Sequence, residues 1–83
     1  PQDIEVRTLH AEALSRFGDQ GRAQRQFARA QTLAPQDPRV YFRQGNAFRD
    51  TGRLDEAVTA YLQALALTPT DVKTLNNLGV VYL

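Results

Sequence analysis

Cysteine is absent from this chain of 83 residues, and histidine occurs once. Those two shortages exclude the disulfide bridges and Cys/His metal sites that commonly staple small domains. A chain of this size buries only about 60% of the surface it exposes when unfolded. Further burial against neighbouring structure has to take the place of staples. The lack of cysteine suits reducing and oxidising surroundings equally and leaves localisation open. No apolar run approaches the ~20 residues of a membrane-spanning helix, and no signal-peptide pattern is present. Charge of one sign is lacking too: ten Lys and Arg face nine Asp and Glu, a formal net charge of +1. That balance supplies no general drive toward nucleic acid or an anionic membrane. Position 1 is Pro rather than Met, which reads as the start of an excised or processed piece.

What the chain does have is internal repetition. Shifting it by 34 residues pairs Val6 with Val40, Ala13 with Ala47, Gly18 with Gly52 and Ala23 with Ala57. The same shift pairs Ala30 with Ala64, Leu33 with Leu67, Pro35 with Pro69 and Asp37 with Asp71, while Phe27 meets Tyr61. Pro1-Gln2-Asp3 repeats as Pro35-Gln36-Asp37. A fixed period of this length is the mark of a repeat architecture. It divides the chain into a unit over 4–37, a second over 38–71 and the first helix of a third over 72–83, with 1–3 the tail of a preceding unit.

Each unit reads as two helices. Asp37-Pro38 is a helix start, because the Asp oxygen can accept from free N–H groups and Pro suits the first helical position. Asp3 and Asp71 hold the equivalent places. Gly18 and Gly52 fall where the first helices must end in a left-handed residue. Asp55-Glu56 favours the start of the following helix, and Pro35 and Pro69 stop the second helices. The spacing predicts helices over 4–17, 20–33, 38–51, 54–67 and 72–83 and hence an all-α fold. Tyr41, Gly45 and Phe48 share one helical face, as do Leu54, Ala57, Val58, Tyr61, Ala64 and Leu65. Small Gly45, Ala57 and Ala64 would allow close helix approach, with Phe48 and Tyr61 filling the space between.

At these residues the sequence resembles the tetratricopeptide repeat (TPR) family, whose pattern runs W-x2-L-G-x2-Y, A-x3-F, P. The second unit offers Tyr41, Gln44, Gly45, Phe48, Ala57, Tyr61 and Pro69, and the third opens with Leu75, Leu78, Gly79 and Tyr82. The first is more degenerate: Arg7, His10, Ala11, Leu14, Ala23, Phe27 and Pro35. Arg7 and His10 stand where the pattern has apolar residues, and Gln20 and Gln31 stand where the second unit has Leu54 and Leu65. The first unit therefore has a weaker core, or faces something polar. The resemblance implies a right-handed α-solenoid of antiparallel helix pairs, five helices here. It also implies a protein-interaction scaffold whose first helices line a concave face for a peptide or protein partner. An internal unit leaves an apolar face open, and Leu75, Leu78, Val81 and Tyr82 lack a partner helix. This predicts a segment of a longer array, and a homo-oligomer in which the bare end packs on a second copy.

Carried over residue by residue, the groove positions are Glu5, Thr8, Glu12 and Arg16, then Arg39, Phe42, Arg43, Asn46, Arg49 and Asp50, then Lys73, Asn76, Asn77 and Val80. Helical spacing independently groups Arg39, Arg43 and Asn46 at i, i+4 and i+7, and Lys73 with Asn77 at i, i+4. Arg offers forked donors for carboxylates, Asn can read a peptide backbone, and Phe42 offers an apolar shelf. The candidate partner-binding set is therefore Arg39, Phe42, Arg43, Asn46, Arg49, Lys73 and Asn77, for an acidic or C-terminal segment. The competing reading of the same arginines is a solvated helix face paired to nearby acids. Some TPR domains clamp the C-terminal carboxylate of heat-shock chaperones. Asn46 and Asn77 match two Asn places of that clamp, but Phe42 stands where it needs Lys, and Thr8 and Glu12 fail the other register.

The remaining constellations read as bland. Arg22, Arg25 and Arg29 form a basic row on a second helix, a solubilising surface with RNA or an anionic surface as the alternative ligand. No aromatic is interleaved for base stacking. His10 has no Cys or second His at ligand spacing and reads as a partly buried packing residue, not a metal ligand. Glu5, Glu12 and Ser15 lack the partners a catalytic site needs, and Gly18-Asp19-Gln20-Gly21 is a turn without a phosphate-loop pattern. The expectation is a non-catalytic module without cofactor. Self-assembly is the first alternative, and a regulatory segment of a larger enzyme a further one.

Overall fold

Four aspartates set the helix starts. The Asp3 carboxylate accepts from the Val6 N–H (3.3 Å), Asp19 from Arg22 (3.1 Å), Asp37 from Arg39 (3.0 Å) and Asp71 from Lys73 (3.2 Å). Each satisfies an N–H that has no partner inside its own helix. The computed structural model describes residues 3–82, which hold α1 (Ile4–Arg16), α2 (Gln20–Leu33), α3 (Pro38–Asp50), α4 (Leu54–Leu67) and α5 (Val72–Tyr82). Among the described residues the fold is all-α, with five helices and no strand. The expected ends at 17 and 51 fall one residue past the helices, on the capping residues Phe17 and Thr51. Pro1, Gln2 and Leu83, assigned above to a preceding unit and to the last helix, lie outside the described residues. Gly18 (φ 95°) and Gly52 (φ 78°) turn the chain after α1 and α3 in the left-handed conformation that a Cβ disfavours. Helix α4 starts differently. Its capping residue Arg53 makes no side-chain bond, and Asp55 and Glu56 in the first turn supply the negative charge.

Consecutive helices pack on one another, and α3 packs on α1, α2, α4 and α5. The first helices α1, α3 and α5 make one layer, and α2 and α4 the other, in a slab 33 × 26 × 15 Å. Tyr61 and Phe27, one repeat apart, are the largest fully buried side chains. A Cβ on Gly45 would stand 2.6 Å from the Tyr61 ring, so α3 and α4 meet at this distance only because position 45 is glycine. Val40 is buried with Ile4 and Ala30 between the units, whereas its equivalent Val6 is exposed. The difference is that no described helix packs on α1 from the N-terminal side.

Three expectations are corrected. Leu54, on the apolar face of α4 by spacing, is exposed where it opens the first turn of that helix. His10 is exposed rather than part of the packing. Thr8, a groove position by resemblance, is fully buried, and its hydroxyl donates to the Ile4 carbonyl (2.7 Å). Three of the polar substitutions of the first unit find polar side-chain partners nearby. Gln20 exchanges hydrogen bonds with Ser15 (3.1 and 3.0 Å), the Gln31 amide donates to Gln44 (3.0 Å), and Arg7 donates to Gln26 (2.8 Å).

Candidate functional site

The layer of first helices carries a ladder of alternating charges. Arg43 on α3 binds Glu5 on α1 (2.6 Å) and faces Glu12 two turns along (3.6 Å). Arg16 reaches Glu12 (3.2 Å) and Asp50 (3.1 Å), Arg49 reaches Asp50 (3.2 Å), and Arg39 binds Asp37 (2.6 Å) with Glu5 at 3.9 Å. The Arg39 hydrogen bond draws the Asp37 carboxyl below its ordinary range, and Asp37 raises Arg39 in turn. Asp50, by hydrogen bond and charge, raises Arg16. Each arginine of the candidate set, Arg39, Arg43 and Arg49, thus meets a carboxylate of the chain itself. The acid-paired reading of these arginines describes the unliganded face.

Beside the ladder lies a polar cluster on the α3–α4–α5 contact. Asn46 is 6% exposed, and its Oδ1 accepts from the Tyr61 hydroxyl (2.6 Å) and the Asn77 amide (2.8 Å). Burial pushes the Tyr61 hydroxyl up, against the nearby Arg49 cation and the Asn77 hydrogen bond. Asn46 and Asn77, candidates for reading a peptide backbone, are therefore tied together, with Asn46 facing inward and Asn77 half-buried. Phe42 is half-buried at 6.3 Å from Tyr61, a tilted ring pair, and the Arg43 guanidinium stands 5.8 Å from its centroid. Such ring and cation contacts hold Phe42 in place.

Between α3 and α5 these residues open onto a shallow depression of about 250 Å³, lined among others by Glu5, Arg39, Phe42, Arg43, Asp71 and Lys73. Four of the seven candidates, Arg39, Phe42, Arg43 and Lys73, line it, while Asn46, Arg49 and Asn77 lie outside its lining. Lys73 is exposed and forms no ion pair among the described residues, so the depression has one cation not already neutralised. Asp71, read as a helix cap, was missed as a lining group, and Glu5, a groove position by resemblance, was left out of the candidate set. The signal for Glu5 was in the period: Glu5 and Arg39, like Arg16 and Asp50, are 34 residues apart and so stand side by side on adjacent first helices. A larger depression, about 370 Å³, lies on the opposite side of the molecule by Gln31, Gln44, Glu56 and Gln63. Volume alone does not single out the first-helix face.

Comparison with known proteins bears on what this layered repeat is. A family model described as TPR repeat matches residues 45–83. A peroxisomal targeting signal receptor from Candida albicans is 41% identical over 54 residues, 65% of this chain and 9% of that protein. The chain thus spans a small fraction of the relative it matches. The period, the helix pairs and these two matches agree on an all-α fold of the tetratricopeptide-repeat type.

Proposed function

We propose that the face of first helices α1, α3 and α5 binds an extended acidic segment of a partner protein, and that the chain acts by this binding and not by catalysis. The observation that carries the reading is the depression that Lys73, without an ion pair among the described residues, lines together with Phe42 and Arg43. A partner carboxylate would pair with Lys73 and compete with Glu5 for the forked donors of Arg43. An apolar neighbour of that carboxylate would rest on Phe42. A TPR chain matching part of a targeting-signal receptor is a protein-interaction module in general terms, and recognition of a signal borne on a partner is the specific form proposed here. The test is to pan a displayed peptide library on the chain and titrate enriched peptides against it. Acidic peptides should be enriched, and Lys73→Glu with Phe42→Ala should abolish their binding while the helical circular dichroism stays intact. Enrichment of neutral or basic peptides, or undiminished binding by the double variant, would rule the reading out.

A second reading, self-association, is favoured by one observation: Val72, Leu75, Val80 and Tyr82 on α5 are 47–71% exposed. On this reading a second copy covers that side of α5. Sedimentation should show concentration-dependent dimers that Leu75→Glu converts to monomers. Monomers of the native chain at all concentrations would dismiss it.

A further inference from the structure

The outer face of the first unit departs from its neighbour in a way that packing does not require. Arg22, Arg25 and Arg29 project from α2, and with Arg7 and Gln26 they line one open depression of about 350 Å³. One repeat later the corresponding α4 positions are Glu56, Thr59 and Gln63. A solvated helix face is thus served in this fold by neutral and acidic residues. Arg22 also stands in the first turn of α2, where a cation opposes the helix dipole and where α4 carries Asp55 and Glu56. Breaks in a local rule of this sort concentrate at functional positions.

The charge of this patch is also available. On the first-helix face the arginines are paired with carboxylates, but here, among the described residues, Arg22 has only Asp19 at 3.7 Å. Arg25 and Arg29 are exposed and form no ion pair among the described residues. Two contacts order the patch. The Arg25 Nη1 lies 3.6 Å from where a Cβ on Gly21 would stand, so the guanidinium folds over a bare backbone. The Gln26 carbonyl accepts from Arg7 Nη1 (2.8 Å), which draws α1 and α2 together at the rim. Forked guanidinium donors match phosphate oxygens in pairs, a geometry that lysine does not offer. No aromatic belongs to the lining, so stacked bases have no platform.

We infer that the depression lined by Arg7, Arg22, Arg25 and Arg29 is a binding site for a phosphate-dense anion, either a free polyphosphate or a multiply phosphorylated headgroup. It lies on the second-helix side of the first unit and is independent of the groove proposed above. The test is calorimetric titration of the chain with inorganic triphosphate, beside co-sedimentation with phosphatidylcholine vesicles with and without phosphatidylinositol bisphosphate. The native chain should bind, more weakly as salt is added. Arg25→Gln/Arg29→Gln, still helical, should lose at least about tenfold in affinity, since each removes charge-assisted hydrogen bonds. Arg53→Gln, an exposed arginine outside the patch, should bind like the native chain. Preference for triphosphate identifies a free anion as the ligand, and preference for the phosphoinositide vesicle identifies a headgroup. Equal binding by the native chain and the Arg25/Arg29 variant, or an equal loss in Arg53→Gln, would overturn the inference. So would retention of an RNA oligomer by a chain that binds neither phosphate probe.

Discussion

One methyl group at position 45 would have nowhere to go. The Cβ it adds meets two carbons of the Tyr61 ring at 2.6 Å, and that ring is fully buried against α3. Gly45→Ala should therefore lower stability by about 1–3 kcal/mol in urea unfolding, the usual range for overpacking a filled core. Gly79 is the control, since a Cβ there meets nothing within 4 Å. Gly79→Ala should raise stability by about 0.5–1 kcal/mol, the ordinary gain from replacing glycine inside a helix. The Tyr61 hydroxyl is the other sensitive group. Tyr61→Phe leaves Asn46 Oδ1 with the Asn77 amide alone and should cost about 1 kcal/mol. Burial raises the Tyr61 pKa above its ordinary 10.0, so the folded chain holds this proton longer than the unfolded one. The resulting stabilisation is complete below that pH and is lost as pH rises through the raised value. Alkaline unfolding curves should show this loss in the native chain, and Tyr61→Phe should remove the Tyr61 share of it. The Gly45–Tyr61 fit was legible in the sequence, because a small residue facing a large one at helical spacing specifies a contact. The burial of Thr8 was not, since its position on a face does not reveal that its hydroxyl turns back to the Ile4 carbonyl.

At the scale of the element, the caps make opposite predictions for α3 and α4. Asp37→Ala removes the acceptor for the Arg39 N–H and should destabilise the chain by about 0.5–2 kcal/mol at neutral pH. The bond from Arg39 lowers the Asp37 pKa below 3.8, so its stabilisation is present above the unfolded value and lost as pH falls through the folded one. Thermal melts of the two proteins should differ at neutral pH and converge in acid. Helix α4 has the reverse situation, with Arg53 at the capping position and no side-chain bond. Arg53→Ser should stabilise the chain by about 0.5–1 kcal/mol in the same melts. Helix starts were legible because capping is local chemistry written in adjacent residues. Coverage of a face is not local, and Leu54, apolar and in phase, is nevertheless exposed in the first turn of α4.

Across the whole molecule, charge distinguishes the two layers. The face of first helices is an internal ladder, with Glu5, Arg43, Glu12, Arg16 and Asp50 neutralising one another between α1 and α3. Those partners follow from the period, since residues 34 apart, shifted by a helical turn to 31 or 38, become neighbours. The arginines taken without the period do not name these partners, which is why spacing alone leaves the paired and the partner-binding readings of Arg39 and Arg43 both open. Against that ladder, Lys73 beside Phe42 is where an incoming carboxylate meets the least internal competition. The direct measurement is amide chemical-shift mapping of the isotope-labelled chain, titrated with an acidic peptide selected by panning. The account predicts saturable shifts centred on Phe42, Arg43 and Lys73, extending along α3 and α5, with α2 unaffected. Shifts confined to α2 and α4, with the Phe42 and Lys73 amides unmoved, would contradict it.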